Sequence, residues 1–348
     1  MLIHGIVLTR NDWGMLALSI TNVLHNHADI VHVLNHGSSD QTAHGLKILK
    51  EIWGERLKIY SANPDLPFKQ ALLTNMISSI AEDEGADWIY VFDSDEFLLS
   101  NSNFSLREEL LKLSNEIVGI RYSLNNYIST YDFDQNNLNC YKKLIYRSKP
   151  NVEYDPIHAI ELISRGELSF FDLPFPSKII FRANKNLLIS MGAHRLKGAF
   201  DAHSVVNLTE AKCAHLSLIS KNMLARKSML GKHLIEDDSP MRIGWQNKLV
   251  HQLDVLGKLD WFWERHSIQP KNKETVNPDH IIDESLLECL NNSIEILREK
   301  FGGINLSMLS NIPLKTGYDK ETKFTFNNAF QMVRFFNKRI DLLLNVKK

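Results

Sequence analysis

The sequence predicts an α/β fold in which a mostly parallel sheet is covered by helices on both faces. Over the first hundred residues, short apolar runs rich in β-branched side chains alternate with stretches of helical periodicity, which is the pattern of strand, helix and strand units. Each apolar run ends in a polar cluster, as a buried parallel strand does at its carboxyl end. After residue 220 the pattern becomes helical. We therefore expect two domains, an α/β domain over 1–220 and a helical C-terminal region over 221–348.

The elements of the α/β domain follow in order from these signals. Residues 3–9 form a short apolar strand that stops at Arg10-Asn11-Asp12, and Leu16, Ile20 and Leu24 then recur at helical spacing. The same reasoning predicts a strand over 29–34, a helix over 42–53, a strand over 57–60, a helix over 69–84 and a strand over 88–92.

The rest of the chain divides into a mixed segment and a helical segment. Residues 104–215 alternate short strands with polar loops, and we interpret this segment as the second half of the α/β domain. The strands expected there span 118–122 and 178–182. Residues 269–278 are rich in Lys, Asn and Pro, which is typical of a linker. Helices are predicted over 221–231, 241–256, 283–301 and 324–346.

Composition excludes several classes of protein. Lys and Arg total 40 against 41 Asp and Glu, so no broad positive field is available to capture nucleic acid. No uncharged apolar stretch reaches the roughly 18 residues of a spanning helix, and the N-terminal residues do not form a signal peptide. The three cysteines match neither a CxxC pair nor zinc-finger spacing. We expect a cytoplasmic protein with reduced thiols, at most peripheral to a membrane.

The strongest chemical signal is an acidic cluster that follows the predicted strand 88–92. The apolar run delivers Asp93, Asp95 and Glu96 almost side by side. Three carboxylates at a buried strand end repel one another, so the site is costly unless a cation neutralises it. Oxygen ligands favour hard ions, so we expect Mg²⁺ or Mn²⁺ to bridge these carboxylates and a substrate diphosphate. The alternative interpretation is an acidic loop that caps the next helix.

Two other polar loops follow strands of the same predicted sheet, at residues 9–12 and 35–42. Ligands of such sheets bind beyond the carboxyl ends of the strands, so both loops could contact the base or ribose of a nucleotide. The second loop also fits a simpler role, because Gly37 permits a tight turn and Ser39 or Asp40 can cap the following helix. The candidate nucleotide contacts are Thr9, Arg10, Asn11, Asp12, Asn35, Ser38 and Asp40.

Taken in order, these motifs resemble glycosyltransferase family 2 and its relatives. The resemblance covers the first hundred residues, and its Asp-x-Asp-Glu-Phe form is most similar to the family 92-like bacterial enzymes. It implies a GT-A fold, a nucleotide-sugar donor that is commonly a UDP-sugar, a divalent ion, and usually inversion at the anomeric carbon. The residues that carry it are Thr9-Arg10-Asn11-Asp12, Asn35-x-Gly37-Ser38-Ser39-Asp40-x-Thr42, Lys69-Gln70 with Asn75, and Asp87-Trp88 leading to Asp93-x-Asp95-Glu96-Phe97.

The resemblance also implies roles for single residues near the nucleotide. Lys69 and Asn75 would approach the diphosphate. Asn35 stands where many relatives have an aspartate that contacts the base or ribose. The nucleoside pocket would further be lined by Thr9, Asn11 and Asp12.

At the ion, the resemblance implies that Asp93 and Asp95 are ligands, with Ser94 between them in the donor site. The segment that ends at His194 is similar to a family segment ending in Gly-x-His, so His194 would return to the metal or the diphosphate. Neutral imidazole is a suitable ligand for Mn²⁺. His215 is the alternative, and either histidine could instead be structural.

An inverting transfer needs a general base that takes the proton of the acceptor hydroxyl. The candidates are Asp155, Glu161 and Glu153, and no local motif chooses among them. His158 could instead contact the acceptor or the metal. Retention of configuration is not excluded by any residue of the sequence.

The predicted helix over 324–346 is amphipathic and basic. Such a helix can lie on anionic lipid, although a helix packed on the protein with a solvated basic face is the simpler interpretation. By the resemblance alone, we expect a glycan or lipid-linked acceptor in bacterial surface polysaccharide or lipopolysaccharide synthesis.

Two other classes of protein remain open at this point. A metal-dependent nucleotidyltransferase or phosphohydrolase also places acidic pairs beyond a parallel sheet, but the P-loop pattern GxxxxGK[ST] is absent. A non-catalytic glycan-binding or nucleotide-binding protein could keep the fold without turnover. The intact acidic cluster argues against the second class, and failure to bind Mn²⁺ would favour it.

Overall fold

The structure is a computed structural model that describes residues 1–63, 65, 68–99, 104–134, 137–149, 156–198, 202–236, 244–269 and 280–300. It contains two compact units. The first comprises residues 1–124, 176–213 and the segment that begins at Cys289, and the second comprises residues 125–175 and 214–288. The second unit thus takes in part of the mixed segment, and the division into domains at residue 220 stays a prediction.

Strands and helices alternate through the first hundred residues, as predicted. In chain order, the described strands are β1 (Ile3–Thr9), β2 (Ile30–Asn35), β3 (Leu57–Ser61), β4 (Trp88–Val91), β5 (Glu96–Leu99), β6 (Gly119–Ile128), β7 (Tyr146–Ser148), β8 (Lys178–Arg182), β9 (Leu188–Ile189), β10 (Leu196–Lys197), β11 (Val205–His215) and β12 (His280–Ile282). The described α-helices are α1 (Trp13–Asn26), α2 (Thr42–Trp53), α3 (Gln70–Asp83), α4 (Leu106–Leu111), α5 (Pro156–Arg165), α6 (Lys221–Glu236), α7 (Trp245–Val255), α8 (Leu259–His266) and α9 (Ser285–Lys300).

The sheet of the first unit confirms the α/β class with a mainly parallel core. β1 lies between β2 and β4, β2 pairs with β3, and all three pairings are parallel. β8 is antiparallel to β4, and β6 is antiparallel to β8. Thr9 is in register with Asn35, and Val91 with Ile6. The polar loops after β1, β2 and β4 therefore leave the sheet at the same edge.

Several elements begin and end where the sequence predicts them, namely β1, α2 and β8. The strand expected over 118–122 is longer and continues to Ile128 as β6. The reason is a second partner, because Tyr127 and Ile128 pair with Arg147 and Tyr146 of β7. The predicted helix over 324–346 and most of the predicted linker lie outside the described residues.

Helices cover the sheet of the first unit on both faces. On one face, Leu73 and Ile77 of α3 pack in a buried cluster with Ile6 and Leu34, and full burial of such side chains contributes about 1.5–3 kcal/mol each. On the other face α1 approaches β1 at Gly5, where an added Cβ would lie 3.0–3.2 Å from side chains of Val31, Val23 and Phe92. Glycine at this position lets the helix and the sheet pack closely.

Three aromatic rings cross the sheet of the first unit in what we call the histidine row: His4 of β1, His32 of β2 and Tyr60 of β3. His4 and His32 are fully buried. Their ring nitrogens Nδ1 and Nε2 are 3.0 Å apart, and Nδ1 of His32 is 3.1 Å from the Tyr60 hydroxyl. Burial lowers the pKa of both imidazoles, that of His32 to about 3. The row is therefore neutral at physiological pH.

The second unit is built around aromatic side chains. Phe170 contacts Phe171, Phe175, Trp245 and Phe262 with ring centroids 5.4–6.0 Å apart. Such pairs contribute roughly 0.5–1.5 kcal/mol beyond the area that they bury. β7 pairs with β6 on one side and with β12 on the other, both antiparallel.

No helix among the described residues is long and apolar enough to cross a membrane. Within the same part of the chain, the thiols Cys140, Cys213 and Cys289 form no disulfide. Burial raises the pKa of Cys289 to about 12, so this thiol is not a nucleophile at neutral pH.

Candidate functional site

The predicted acidic cluster is a tight turn, which we call the acidic turn, over Asp93–Glu96. It follows β4 and leads directly into β5. The backbone N–H of Glu96 donates to the Asp93 carbonyl at 3.0 Å, and the backbone N–H of Asp93 donates to Glu96 Oε2 at 3.1 Å. The side chain of Glu96 therefore closes the turn on itself. Asp93, Ser94 and Asp95 are partly exposed, whereas Glu96 is buried.

A buried lysine neutralises part of this cluster. Lys178 Nζ lies 2.7 Å from Asp93 Oδ2 and 2.9 Å from Glu96 Oε1. The exposed fraction of the side chain is 3% for Lys178, 1% for Glu96 and 37% for Asp93. The sequence argument required a cation at this strand end and attributed it wholly to a metal. The chain itself supplies one positive charge.

Sequence reasoning missed Lys178, although one signal was present. Lys178 opens β8, whose next three residues are Ile179, Ile180 and Phe181, all buried. A lysine at the start of a buried apolar strand is rarely buried without a charged partner. The antiparallel register of β8 against β4, with Tyr90 opposite Ile180, carries Lys178 to the end of β4 where the carboxylates lie.

Burial and charge act in opposite directions within this cluster. Burial raises the pKa of the Glu96 carboxyl, and the charges of Asp93 and Asp95 add to the effect while Lys178 opposes it. Burial would lower the pKa of Lys178, but Asp93 and Glu96 outweigh it, so the pKa is raised and the ammonium stays charged. Both oxygens of Glu96 accept hydrogen bonds. The carboxyls that reach solvent are those of Asp93 and Asp95.

The loops after β1 and β2 are fastened together by Asn11. Its Oδ1 accepts the backbone N–H groups of Ser39 at 2.6 Å and Asp40 at 3.3 Å. Its own N–H donates to Ser38 Oγ at 2.9 Å. Asn11 has a φ of 56°, a left-handed conformation that Asn adopts more readily than most residues. A non-glycine residue held in the left-handed region by three hydrogen bonds is typical of a functional loop.

The loop after β1 also touches the acidic turn. Ser94 Oγ donates to Asp12 Oδ2, and the Asp12 N–H donates to Thr42 Oγ1 at 3.2 Å. Asp40 Oδ1 accepts the Thr42 N–H at 2.9 Å, but the N-cap residue of α2 is Gln41, which makes no side-chain cap hydrogen bond. Asp12 therefore connects the start of α2 with the acidic turn, and three strand-end loops form one polar surface.

The remaining nucleotide candidates differ in exposure. Asn35 is buried, and its Oδ1 accepts the Ser38 N–H at 3.1 Å, so it shapes its own loop. Thr9 is 4% exposed, and its hydroxyl has no hydrogen-bond partner among the described residues. Arg10 and Lys69 are exposed. A buried hydroxyl without a partner at the end of β1 is compatible with a polar ligand at this edge.

Asn75, predicted near the diphosphate, lies in the interior of the first unit at 3% exposure. Its Nδ2 donates to the Ile189 carbonyl at 2.8 Å, and its Oδ1 accepts the Ile189 N–H at 3.0 Å. Both groups of the amide are thus engaged with the main chain of β9. Asn75 therefore joins α3 to β9 through two hydrogen bonds.

His194 lies in the same unit as the acidic turn. Its Nδ1 is 3.0 Å from the Ser177 carbonyl, so Nδ1 carries the proton and Nε2 is the nitrogen able to bind a ligand. Burial and the charge of Lys178 lower its pKa. Gly192 has a φ of 69°, and a Cβ there would lie 2.4 Å from His194 Nε2, which explains the glycine of the Gly-x-His segment.

Both histidine alternatives stay predictions. His215 belongs to the second unit, where its Nδ1 lies 2.9 Å from Asn126 Oδ1 and its ring meets Phe175 edge on. His194 is not in any group of three possible ligands within 4.8 Å of one another that the described residues form. Its role as a metal ligand stays a prediction.

Of the three candidate general bases, only Glu161 lies within the described residues. Glu161 lies on α5 in the second unit, exposed, and forms an ion pair with Arg165. His158, one turn earlier, is also exposed, with Nδ1 4.0 Å from Glu161 Oε2. Asp155 and Glu153 lie outside the described residues. The choice among the three carboxylates stays open.

No family model matches the chain, and no curated protein matches it. Among solved structures, it is similar to S. aureus TarS 1-349, with 12% identity over 86% of this chain and 82% of that chain and a TM-score of 0.36. The mannosyltransferase PcManGT from Pyrobaculum calidifontis, in complex with GDP-Man and Mn²⁺, is 12% identical over 88% and 76%, with a TM-score of 0.36. Glucosyl-3-phosphoglycerate synthase from Mycobacterium tuberculosis, in complex with Mn²⁺, UDP and phosphoglyceric acid, is 13% identical over 69% and 79%, with a TM-score of 0.32. At TM-scores this low the similarities carry no inference about activity.

Proposed function

We propose that the protein is a metal-dependent glycosyltransferase of the GT-A type that takes its sugar from a nucleotide-sugar donor. The observation that carries the proposal is the joining of three strand-end loops into one polar surface at the carboxyl edge of a parallel sheet. Asn11 ties the first two loops together, and Ser94 ties the acidic turn to Asp12. This edge is where α/β sheets bind nucleotides.

The residues present fit a hard divalent ion. Mg²⁺ in proteins is usually held by one or two carboxylates together with substrate phosphates and waters. Asp93 and Asp95 are partly exposed carboxylates of that kind, while Lys178 and the backbone occupy both oxygens of Glu96. Asp93 and Asp95 would therefore hold Mn²⁺ or Mg²⁺. When bound, the ion neutralises negative charge on the departing diphosphate.

The polar loops would hold the nucleoside. The unpartnered hydroxyl of Thr9 and the exposed guanidinium of Arg10 lie at the end of β1. Asn11, Asn35 and Ser38 set the shape of the two loops through hydrogen bonds among themselves. A preorganised polar surface costs little further ordering when the ligand binds.

In the proposed reaction, the oxygen of an acceptor hydroxyl forms a bond to the anomeric carbon of the sugar. The bond between that carbon and the diphosphate oxygen breaks, and the diphosphate leaves with the electron pair. A general base takes the proton of the acceptor hydroxyl. Asp155, Glu161 and Glu153 remain the candidates for this base, and His194 remains the candidate that contacts the metal or the diphosphate.

The finer details of the proposal rest on the resemblance in the first hundred residues. They are a UDP-sugar as the donor, inversion at the anomeric carbon, and a glycan or lipid-linked acceptor in surface polysaccharide synthesis. Contact with a membrane through the predicted helix over 324–346 belongs with them.

Thermal unfolding with ligands tests the proposal directly. The melting temperature of the wild type and of Asp95→Ala is measured with UDP, GDP and CDP, each with and without Mn²⁺. Asp83→Ala is the matched control, because Asp83 is an exposed acid at the end of α3, before β4 begins. A ligand that binds the folded state raises the melting temperature in proportion to the logarithm of its concentration over Kd.

We expect one of the nucleotides to stabilise the wild type and Asp83→Ala only when Mn²⁺ is present. Asp95→Ala should lose this stabilisation, because the ion loses one of its two carboxylates. The nucleotide that acts also identifies the class of sugar donor. If no nucleotide shifts the melting temperature of the wild type with Mn²⁺, the proposed function is wrong and a protein without transferase activity takes its place.

A further inference from the structure

Lys178 comes from a part of the chain 85 residues beyond Asp93 and yet ends at the acidic turn. We propose that Lys178 is a positioning residue for the sugar-donor site. It holds one oxygen of Asp93 so that the other oxygen, together with Asp95, is directed at the divalent ion and the diphosphate. The inference rests on the proposed function and adds to it a residue that neither the motifs nor the resemblance assigns.

The geometry of Lys178 indicates that it holds Asp93 in place and does not itself contact the ligand. The Lys178 side chain is 3% exposed, so the ammonium cannot reach a diphosphate in solvent. Its backbone is fixed because β8 pairs with β4 on one side and with β6 on the other. The 2.7 Å contact with Asp93 Oδ2 and the 2.9 Å contact with Glu96 Oε1 place a point charge at a defined position.

Asp93 needs such a support more than its neighbours do. Its side chain is 37% exposed, and it begins a turn two residues after the end of β4. A carboxylate in that position samples several rotamers unless a partner selects one. Glu96, in contrast, is locked by burial and by the Asp93 N–H. Because its own strand is fixed in the sheet, Lys178 holds the Asp93 carboxylate, which would bind the ion, in one orientation.

The same contact predicts how the ion binds. The ammonium of Lys178 competes with a divalent ion for Asp93, since both are attracted to the same carboxylate. Ion binding without nucleotide should therefore be weak in the wild type. A diphosphate supplies the additional oxygen ligands, so the ion and the nucleotide should bind together.

Removal of Lys178 alone would leave Glu96 buried without its cation and would destabilise the fold. The test therefore uses Lys178→Met/Glu96→Gln, which removes both charges at once. Glutamine keeps an oxygen and an N–H at the closing position of the turn. Lys185→Met is the matched control, because Lys185 also pairs with an aspartate, Asp83, but in solvent, with exposed fractions of 49% and 63%.

Three quantities are measured for the full chain in each variant. They are the melting temperature without ligand, the affinity for Mn²⁺ alone by electron paramagnetic resonance, and the affinity for UDP and GDP in the presence of Mn²⁺ by calorimetry. We expect the double variant to fold and to bind Mn²⁺ alone at least as tightly as the wild type. Its affinity for the nucleotide with Mn²⁺ should fall at least tenfold, while Lys185→Met keeps the values of the wild type.

The opposite results separate the two proposals. If the wild type binds a nucleotide with Mn²⁺ and the double variant binds it equally well, Lys178 does not position the site, and the proposed function stands. If affinity for Mn²⁺ alone falls together with nucleotide affinity and melting temperature, Lys178 has only a structural role. If the wild type binds no nucleotide at all, both proposals are overturned.

Discussion

The sheet of the first unit buries polar groups in two places and stabilises them in opposite ways. At the acidic turn, Glu96 and Lys178 are almost completely buried and form an ion pair. In the histidine row, His4 and His32 are completely buried and hydrogen-bonded, but burial lowers their pKa values so that they carry no charge. One region neutralises charge with an opposite charge, and the other avoids charge.

The difference follows from where the partners come from. The residues of the histidine row lie on three adjacent parallel strands, where His4 Nδ1, both ring nitrogens of His32 and the Tyr60 hydroxyl are within hydrogen-bond distance of one another. At the acidic turn, the carboxyl groups of Asp93 and Glu96 instead lie against a cation, the ammonium of Lys178. This cation comes from another strand. Buried ion pairs are seldom the most stable solution, so their presence at this edge is consistent with a functional role.

The largest effect should come from breaking the buried pair at one end. Lys178→Met leaves Glu96 buried without its cation, and we expect the free energy of unfolding to fall by about 3–5 kcal/mol. Urea denaturation followed by circular dichroism measures it. Lys178→Met/Glu96→Gln should recover most of the loss, because the carboxyl that remains, Asp93, is partly exposed to solvent. A single variant as stable as the wild type would show that Glu96 does not need the lysine.

The contribution of the histidine row to the free energy of unfolding should depend on pH. The pKa of His32 is lowered from 6.5 to about 3, first by burial and then by His4 and Lys58. Since the unfolded chain binds a proton below pH 6.5 and the folded chain does not, stability falls as the pH falls below 6.5. Each pH unit costs about 1.4 kcal/mol for one such histidine.

His32→Gln tests this linkage. The variant should be less stable at pH 8 because it disturbs the row, but its stability should depend less on pH. The contribution that disappears between pH 6.5 and pH 5 is about 2 kcal/mol. His25→Gln, at an exposed position of α1, is the comparison, and urea denaturation at a series of pH values is the measurement. An unchanged slope in His32→Gln would mean that the buried imidazole titrates in the folded protein.

These two regions also show how far the sequence could predict the structure. The strands, the helices and the shared edge of the three loops follow from apolar periodicity and from polar residues at strand ends, and β1, α2 and β8 were predicted to the residue. The need for a cation at Asp93–Glu96 also followed. Its identity as Lys178 did not, because the pairing of β8 with β4 is a long-range register that no local pattern specifies.

The division into units and the role of Asn75 were hidden for the same reason. The two units are each made of separate stretches of chain, and a change of composition at one point of the sequence does not indicate such a division. Asn75 occupies a motif position on α3, but its amide is used by the backbone of Ile189, 114 residues away. Motif position alone cannot distinguish a residue that contacts a ligand from one that hydrogen-bonds the main chain of a neighbouring strand.

Asn75 is a third buried polar group, which is uncharged and is stabilised by hydrogen bonds to the main chain. Asn75→Ala removes two hydrogen bonds to the Ile189 main chain and leaves a buried carbonyl and N–H without partners. We expect the free energy of unfolding to fall by about 2 kcal/mol. Nucleotide affinity with Mn²⁺ should change less than threefold when measured well below the melting temperature. A large loss of affinity with little loss of stability would instead support the predicted contact with the diphosphate.

The smallest effect should come from Ser94, which joins the acidic turn to Asp12 but carries no charge. Ser94→Ala removes one partly exposed hydrogen bond, so the free energy of unfolding should fall by about 1 kcal/mol or less. The Lys178 pair still fixes Asp93 in this variant, and we therefore expect Mn²⁺ alone to bind as in the wild type. Nucleotide affinity should weaken by a few fold, because the loop after β1 is no longer tied to the turn. Calorimetry of Ser94→Ala beside Lys178→Met/Glu96→Gln ranks the two supports, and a larger loss in Ser94→Ala would mean that the loop contact, and not the buried lysine, sets the geometry of the acidic turn.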